Sequence, residues 1–381
     1  MIQVLHKRKI NIIVMEIEEK VCSKCVLSDE IEGVIIGDDG ICNYCKNFKP
    51  FVPYGESKLL KILEKAKRKN RLYDALVPLS GGKDSTYVLY LAVKKYKLNV
   101  LTYTYDNGFV SDFARKNIES SVRKCNVDHI WVKHDEKLIE ELYRTALMQS
   151  GEICGVCGVG IERSMLKISE AWKTPVILLG HSATEENSFT SENIYDQNRL
   201  KAIFGANGNI SQQFIKRFLV YPDLDFIRSY LFTKTGRFGK KVNILYYLDV
   251  PSDKEIGEIL KNEMSWIEPD LSKYTRHFDC IAEPFTNYVR EKRLNSSRRL
   301  PQLCNMIRNK EMTREEARQI CINDKESLRL DNFDPIMKRL NLAEKDIQKI
   351  TSIPFNVYGN KTSMSNKIFA IARSILKENA H

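Results

Sequence analysis

The sequence lacks any apolar run near the roughly 20 residues that a membrane-spanning helix needs. Pro175-Val176-Ile177-Leu178-Leu179-Gly180 is among its longest, so membrane insertion by a helix is not expected. An export signal is also missing. His6-Lys7-Arg8-Lys9 precede an apolar stretch of only about five residues, below the roughly 7–15 of a signal core, and no small-residue cleavage site follows. Residues 1–20 therefore read as a flexible extension, with Met15 a second candidate start. There is no internal repeat, which excludes solenoid and propeller architectures. There is no G-x-x-x-x-G-K-S/T loop, which excludes the Walker class of phosphate binder.

What is present suits a soluble protein with a sizeable core: 381 residues, 43% hydrophobic and 29% charged. The formal charge of +11 favours an anionic partner. ATP and a nucleotide-linked substrate would account for it, as would tRNA, and so would a solvated lysine-rich surface. Of ten cysteines, six form three C-x-x-C pairs: Cys22/Cys25, Cys42/Cys45 and Cys154/Cys157. Without an export signal this spacing argues for metal rather than disulfides, and for a reducing, cytoplasmic compartment.

Four zones are expected. A flexible extension (1–20) precedes a four-cysteine module (21–50). A large α/β domain (55–250) and a mainly helical C-terminal region (251–381) follow. Residues 55–70 carry Leu and Lys at helical spacing. From 71 to about 185, strand and helix signals alternate. Strands are expected at 72–79, 99–106, 129–133 and 175–180. Helices are expected at 84–96, 114–125, 136–148 and 161–172. Short strands alternating with longer helices imply right-handed crossovers and a parallel sheet. The fold class is a doubly wound α/β sheet with its ligand at the C-terminal strand ends. Further helices are expected at 254–262 and 313–323, the latter opened by a capping box, Thr313 to Glu316.

The strongest signal is strand, then Ser80-Gly81-Gly82-Lys83-Asp84-Ser85, then helix. Glycines let backbone N–H groups converge on an anion, and the helix adds its positive end. Ser80 and Ser85 offer hydroxyls, Lys83 a charge, and Asp84 a hard oxygen for Mg²⁺. A bare Ser/Gly turn is the alternative.

Cys22-x-x-Cys25, sixteen residues, then Cys42-x-x-Cys45 has zinc-ribbon spacing, a closed structural site for Zn²⁺. Cys154 and Cys157 allow three readings: half a zinc site, a redox pair, or two ligands of a 4Fe-4S cluster completed by Cys280. Two unligated buried thiols are the plain alternative. Cys125, Cys304 and Cys321 are expected to be isolated core thiols. Arg276, His277, Arg298, Arg299 and Arg308 are candidate phosphate clamps or ordinary surface charge.

The loop resembles that of the PP-loop, or N-type, ATP pyrophosphatases over roughly residues 72–187. That resemblance implies cleavage of ATP between the α and β phosphates, with pyrophosphate in the loop and AMP on a substrate oxygen. It also implies that Asp106, Gly180 and His181 lie near the adenosine; Asp106-Asn107-Gly108 is equally a turn signal. The whole chain resembles the N-acetyl sugar amidotransferases of surface-polysaccharide biosynthesis. The four-cysteine segment, the loop and the stretch from Leu303 to Ala317 (LCNMIRNKEMTREEA) carry the likeness. It implies an acetamido oxygen activated as an adenylate, then displacement by ammonia to give an amidine. Cys154, Cys157, Gly158, Gly180, His181, Glu185 and Glu186 resemble instead the cluster-dependent PP-loop sulfur transferases that thiolate tRNA. No glutaminase signature is apparent, so ammonia would come from solution or a partner glutaminase. Sulfur would need a sulfide or persulfide donor. A zinc protein that binds nucleic acid without catalysis is the third class considered.

Overall fold

The computed structural model describes residues 20–67, 71–181, 194–206, 210–219, 235–268, 278–327, 333–354 and 357–358. Residues 1–19, Glu185, Glu186, Arg276 and His277 lie outside the described residues.

Five parallel strands form one sheet in the order β3-β2-β1-β4-β5: β1 (Ala75–Pro78), β2 (Val100–Asp106), β3 (Asp128–Lys133), β4 (Val176–Leu179) and β5 (Lys240–Asn243). Central β1 is apolar because both its faces are covered: Ala75, Leu76 and Val77 are fully buried. The order reverses between β1 and β4, opening a crevice beyond their C-terminal ends. The expected doubly wound sheet is thus present. It has one strand more than the sequence suggested, because Lys-Lys-Val-Asn at β5 carries a single buried apolar residue.

Helix α1 (Asn43–Lys46) lies inside the cysteine module, and α2 (Glu56–Ala66) buries Leu59, Leu63 and Ala66. Helix α3 (Lys83–Tyr90) follows β1 and continues as a π turn, Leu91–Lys95. Helix α4 (Asp112–Cys125) is capped by Ser111, whose Oγ accepts from the Ala114 amide at 3.1 Å, and ends at left-handed Asn126. Helix α5 (Glu136–Ser150) follows β3, and α6 (Cys154–Trp172) leads into β4.

Helix α6 begins seven residues before the expected Ile161, so the Cys154/Cys157 pair occupies its first turn. The glycine-rich run Cys-Gly-Val-Cys-Gly-Val-Gly reads as loop, but its glycines answer to crowding. A Cβ on Gly155 would meet the Ile194 carbonyl at 2.0 Å, and one on Gly158 the Tyr195 ring at 2.4 Å. The start is fixed by Glu152, which accepts from the Ile153 and Cys154 amides at 3.0 and 2.9 Å.

The remaining helices are α7 (Gln197–Gly205), α8 (Gln212–Leu219), α9 (Asp253–Met264), α10 (Glu283–Leu294), α11 (Arg299–Arg308), α12 (Arg314–Ser327), α13 (Asp334–Arg339) and α14 (Glu344–Thr351). Helix α9 buries Ile256, Leu260 and Met264 in the same core as α2 and α3. Helices α10, α13 and α14 share a second core with α5 and α7. The Thr313–Glu316 capping box forms, with both reciprocal bonds present. Among the described residues no helix is long and apolar enough to cross a membrane.

Candidate active site

The loop after β1 turns on Gly81, whose φ is +81°. Its carbonyl accepts from the Trp266 indole at 3.0 Å and the Asn117 amide at 3.1 Å. Asn117 is fully buried and also donates to the Ile267 carbonyl at 2.9 Å. These two donors hold the Gly81 oxygen out of the loop, so that only N–H groups need face an anion. The serines close the loop from within: Ser80 Oγ lies 3.1 Å from Ser85 Oγ and accepts from the Gly82 amide at 3.2 Å. Gly82 is the N-cap of α3 and has no side-chain cap, leaving the helix start available to a ligand.

Lys83 reaches the Asp253 carboxylate at the start of α9 and stands 3.4 Å from Asp84. A third carboxylate borders the loop, because a Cβ on Gly82 would lie 3.6 Å from Asp279 Oδ2. Gly180 packs against the loop helix: its Cβ position is 3.1 Å from the Asp84 carbonyl. His181 is exposed just beyond β4. Asp106 at the tip of β2 accepts from the Gly108 amide at 2.9 Å and faces Arg115 at 3.5 Å, so it makes the Asx turn its sequence allows. Trp266, Asn117, Asp253 and Asp279 carried no local signal. They reach the loop only through the fold.

Beside the loop lies the second cysteine pocket. Asn107, one residue past β2, donates to Cys157 Sγ at 3.3 Å. Cys280 pairs through the backbone with Val110, and its neighbour Asp279 accepts from the Ser111 amide. Cys154, Cys157 and Cys280 all bear on buried Tyr143, whose hydroxyl burial drives well above its ordinary pKa, the three thiols adding to it. Burial pushes the Cys154 thiol up, Glu152 adding to it and Arg298 opposing. Arg298 donates to Cys154 Sγ at 3.4 Å and is held by Glu283 at 3.4 Å. Glu152 in turn faces buried Arg290 at 3.0 Å, which keeps its carboxyl below the usual range despite burial. The pocket thus holds three thiols against one core, with an amide and a guanidinium donating to two of them; their sulfurs do not all lie within 4.8 Å of one another.

The four-cysteine module closes as its spacing suggests. The sulfurs of Cys22, Cys25, Cys42 and Cys45 all lie within 4.8 Å of one another. Bonds of about 2.3 Å in a tetrahedron set sulfurs about 3.8 Å apart; Cys25 and Cys42 are at 3.7 Å. The residues therefore fit Zn²⁺. This is the one such cluster among the described residues.

Two expectations, for Cys304 and Cys321, need correction. Cys304 is not isolated: it is fully buried against this module, and its thiol, more than burial, pushes that of Cys25 up. Cys321 packs there too, whereas Cys125 is a core thiol against Met264. Arg308 donates to Cys45 Sγ at 3.3 Å, at this module. Arg299 is committed to Asp324 at 3.0 Å and Arg298 to the second pocket.

A parallel sheet whose central strand runs through Ser-Gly-Gly-Lys-Asp-Ser into a helix has the architecture of a PP-loop fold. Two family models each match part of the chain. Residues 74–160 match the family described as queuosine biosynthesis protein QueC. Residues 270–370 match the C-terminal domain of WbpG-like lipopolysaccharide biosynthesis proteins. An uncharacterised protein of Methanocaldococcus jannaschii is 26% identical over 164 residues, 42% of this chain and 58% of the relative. The match therefore spans little more than half of that curated relative's length. Solved structures give fainter likenesses. The U34-tRNA thiolase NcsA of Methanococcus maripaludis, with its 4Fe-4S cluster, is 15% identical at a TM-score of 0.34, covering 79% of this chain and 88% of that one. The NH3-dependent NAD synthetase of Campylobacter jejuni is 20% identical at 0.27, covering 55% and 91%. The NMN synthetase of Francisella tularensis is 14% identical at 0.28, covering 56% and 86%. At these scores none of the three bears on activity.

Proposed function

We propose that this chain is a cytoplasmic enzyme that cleaves ATP to AMP and pyrophosphate, adenylating a carbonyl or amide oxygen and then replacing it. One observation carries the reading. The Gly81 carbonyl is turned outward by Trp266 and Asn117, while Gly82 opens α3 with no side-chain cap. That is a cradle for a departing pyrophosphate. Lys83 would exchange Asp253 for phosphate oxygens, and Ser80 and Ser85 would donate hydroxyls. Asp84, with Asp253 and Asp279 close by, would hold Mg²⁺, whose hard oxygen chemistry they fit. Mg²⁺ would neutralise charge building on the leaving group. Asp106, Gly180 and His181, at the tips of β2 and β4, are the proposed adenosine contacts.

The acceptor we favour is the acetamido group of a nucleotide-linked N-acetyl sugar. Its oxygen attacks the α-phosphorus and pyrophosphate leaves. Ammonia then adds to the activated carbon, AMP leaves with the oxygen, and an amidine remains. The WbpG-like match over residues 270–370 supports this choice, and ammonia would come from solution or a partner glutaminase. A second reading has its own observation: Cys154, Cys157 and Cys280 pack against one core, and Cys280 directly follows Asp279, which borders the loop at Gly82. A sulfur transferase, acting on tRNA or a small molecule with a persulfide or sulfide donor, would use that pocket. Both begin with adenylation, which turns a poor leaving oxygen into a good one.

The test is product analysis. Purified protein with Mg²⁺, ATP and acetamido nucleotide sugars should release AMP and pyrophosphate, with amidine formation requiring ammonia. Sulfide incorporation, with brown colour after anaerobic purification, would select the second reading. Release of ADP alone, or no nucleotide affinity, rejects both.

A further inference from the structure

The stretch from Leu303 to Ala317 plays no part in the adenylation described above. Its side chains converge on the four-cysteine centre, more than 250 residues away in sequence. Arg308, in the last turn of α11, donates to Cys45 Sγ at 3.3 Å and approaches Cys25 Sγ at 3.9 Å. Its guanidinium also lies over the Phe48 ring at 6.0 Å. Arg314, at the start of α12, donates to the backbone carbonyls of Cys22 and Cys25 at 3.2 and 2.9 Å. Leu300 and Cys304 complete a shared core with Cys22, Cys25, Leu27, Ile31, Val34 and Cys42.

Charge explains the arrangement. Four thiolates around a divalent ion leave two negative charges uncompensated. Here three of the four cysteines have no exposed surface, and burying a charge without a partner is costly. A guanidinium donating to thiolate sulfur offsets that cost directly. Arg314 acts on the same centre by holding the backbone carbonyls of the ligands Cys22 and Cys25.

We propose that Arg308 and Arg314 form the outer half of the metal centre, so that the bound ion holds the Leu303–Ala317 segment onto the N-terminal module. Neither residue is a ligand; both are positioning residues. The proposal is independent of which nucleophile the enzyme uses.

The test uses the full chain carrying Cys154→Ser and Cys157→Ser, which removes the third Cys-x-x-Cys pair as a competing site. Co²⁺ reports ligation through its charge-transfer bands, and competition with a chromophoric chelator gives the Zn²⁺ affinity. Arg308→Met should weaken Zn²⁺ binding about 10–100-fold, the usual scale for losing an outer-shell partner. Arg308→Lys should recover part of that loss, and the Co²⁺ spectrum should still show four thiolates. Unchanged affinity in Arg308→Met would overturn the proposal. Should that variant not fold, hydrogen exchange on the otherwise unchanged chain decides. Removing the metal should speed exchange across 299–317 and leave 75–106 unchanged. Equal protection of 299–317 with and without metal overturns it.

Discussion

Replacing Gly81 by alanine strikes the phosphate loop where it has least room. The residue sits at φ +81°, a conformation that costs an L-residue about 1–2 kcal/mol. The new Cβ would also stand 2.4 Å from the Ala114 carbonyl oxygen and 2.8 Å from its Cα. Neither can swing aside, because both are backbone in the first turn of α4, fixed by the Ser111 cap. The loop must therefore move, and the Gly81 carbonyl must leave Trp266 or Asn117. A displacement of about 1 Å at a reacting centre costs on the order of 100-fold in rate. We expect AMP release to fall by about that factor and pyrophosphate affinity to fall with it. Gly257→Ala is the control. Among the described residues its Cβ meets nothing within 4 Å. It lies inside α9, so alanine should stabilise by about 0.5–1 kcal/mol and leave catalysis alone. Wild-type turnover and affinity in Gly81→Ala would refute the geometry of the loop.

Other outcomes follow from neighbouring features. Trp266→Phe keeps the ring but removes one donor to Gly81; ATP binding should weaken by about 1 kcal/mol, read by calorimetry, with the fold intact by circular dichroism. Arg290→Met leaves the buried Glu152 carboxylate without its partner and should cost about 3–5 kcal/mol in urea unfolding, with Glu152→Gln added to it recovering part. His129 is held neutral by burial, its pKa lowered to about 4. Between pH 6.5 and 4 the unfolded chain binds a proton there that the folded chain refuses. Stability should therefore fall as pH drops through that window, and His129→Gln should flatten the fall.

The sheet and the loop could be read from sequence because their signals are local. β1 is an unbroken apolar run, and the glycines and serines of the loop stand next to one another. β5 was missed because an edge strand of two lysines, a valine and an asparagine has no alternation to read. The start of α6 was missed because glycines at Gly155 and Gly158 mimic a loop, whereas they make room for Ile194 and Tyr195. The surroundings of Arg308 and Cys304 could not be read for a different reason. Nothing near them in sequence announces Cys45 or Cys25, and only the docking of α11 brings them together. The same holds for Trp266 and Asp253, which reach the loop across some 170 to 185 residues.

Helix α11 is a strut with a guanidinium at each end. Its ten residues set those ends about 15 Å apart. Arg308 rests on Cys45, and Arg298, at the N-cap, rests on Cys154. A rigid rod shifts as a whole when one footing gives way. Disturbing the four-cysteine centre would therefore act on the same helix that presents Arg298 to Cys154.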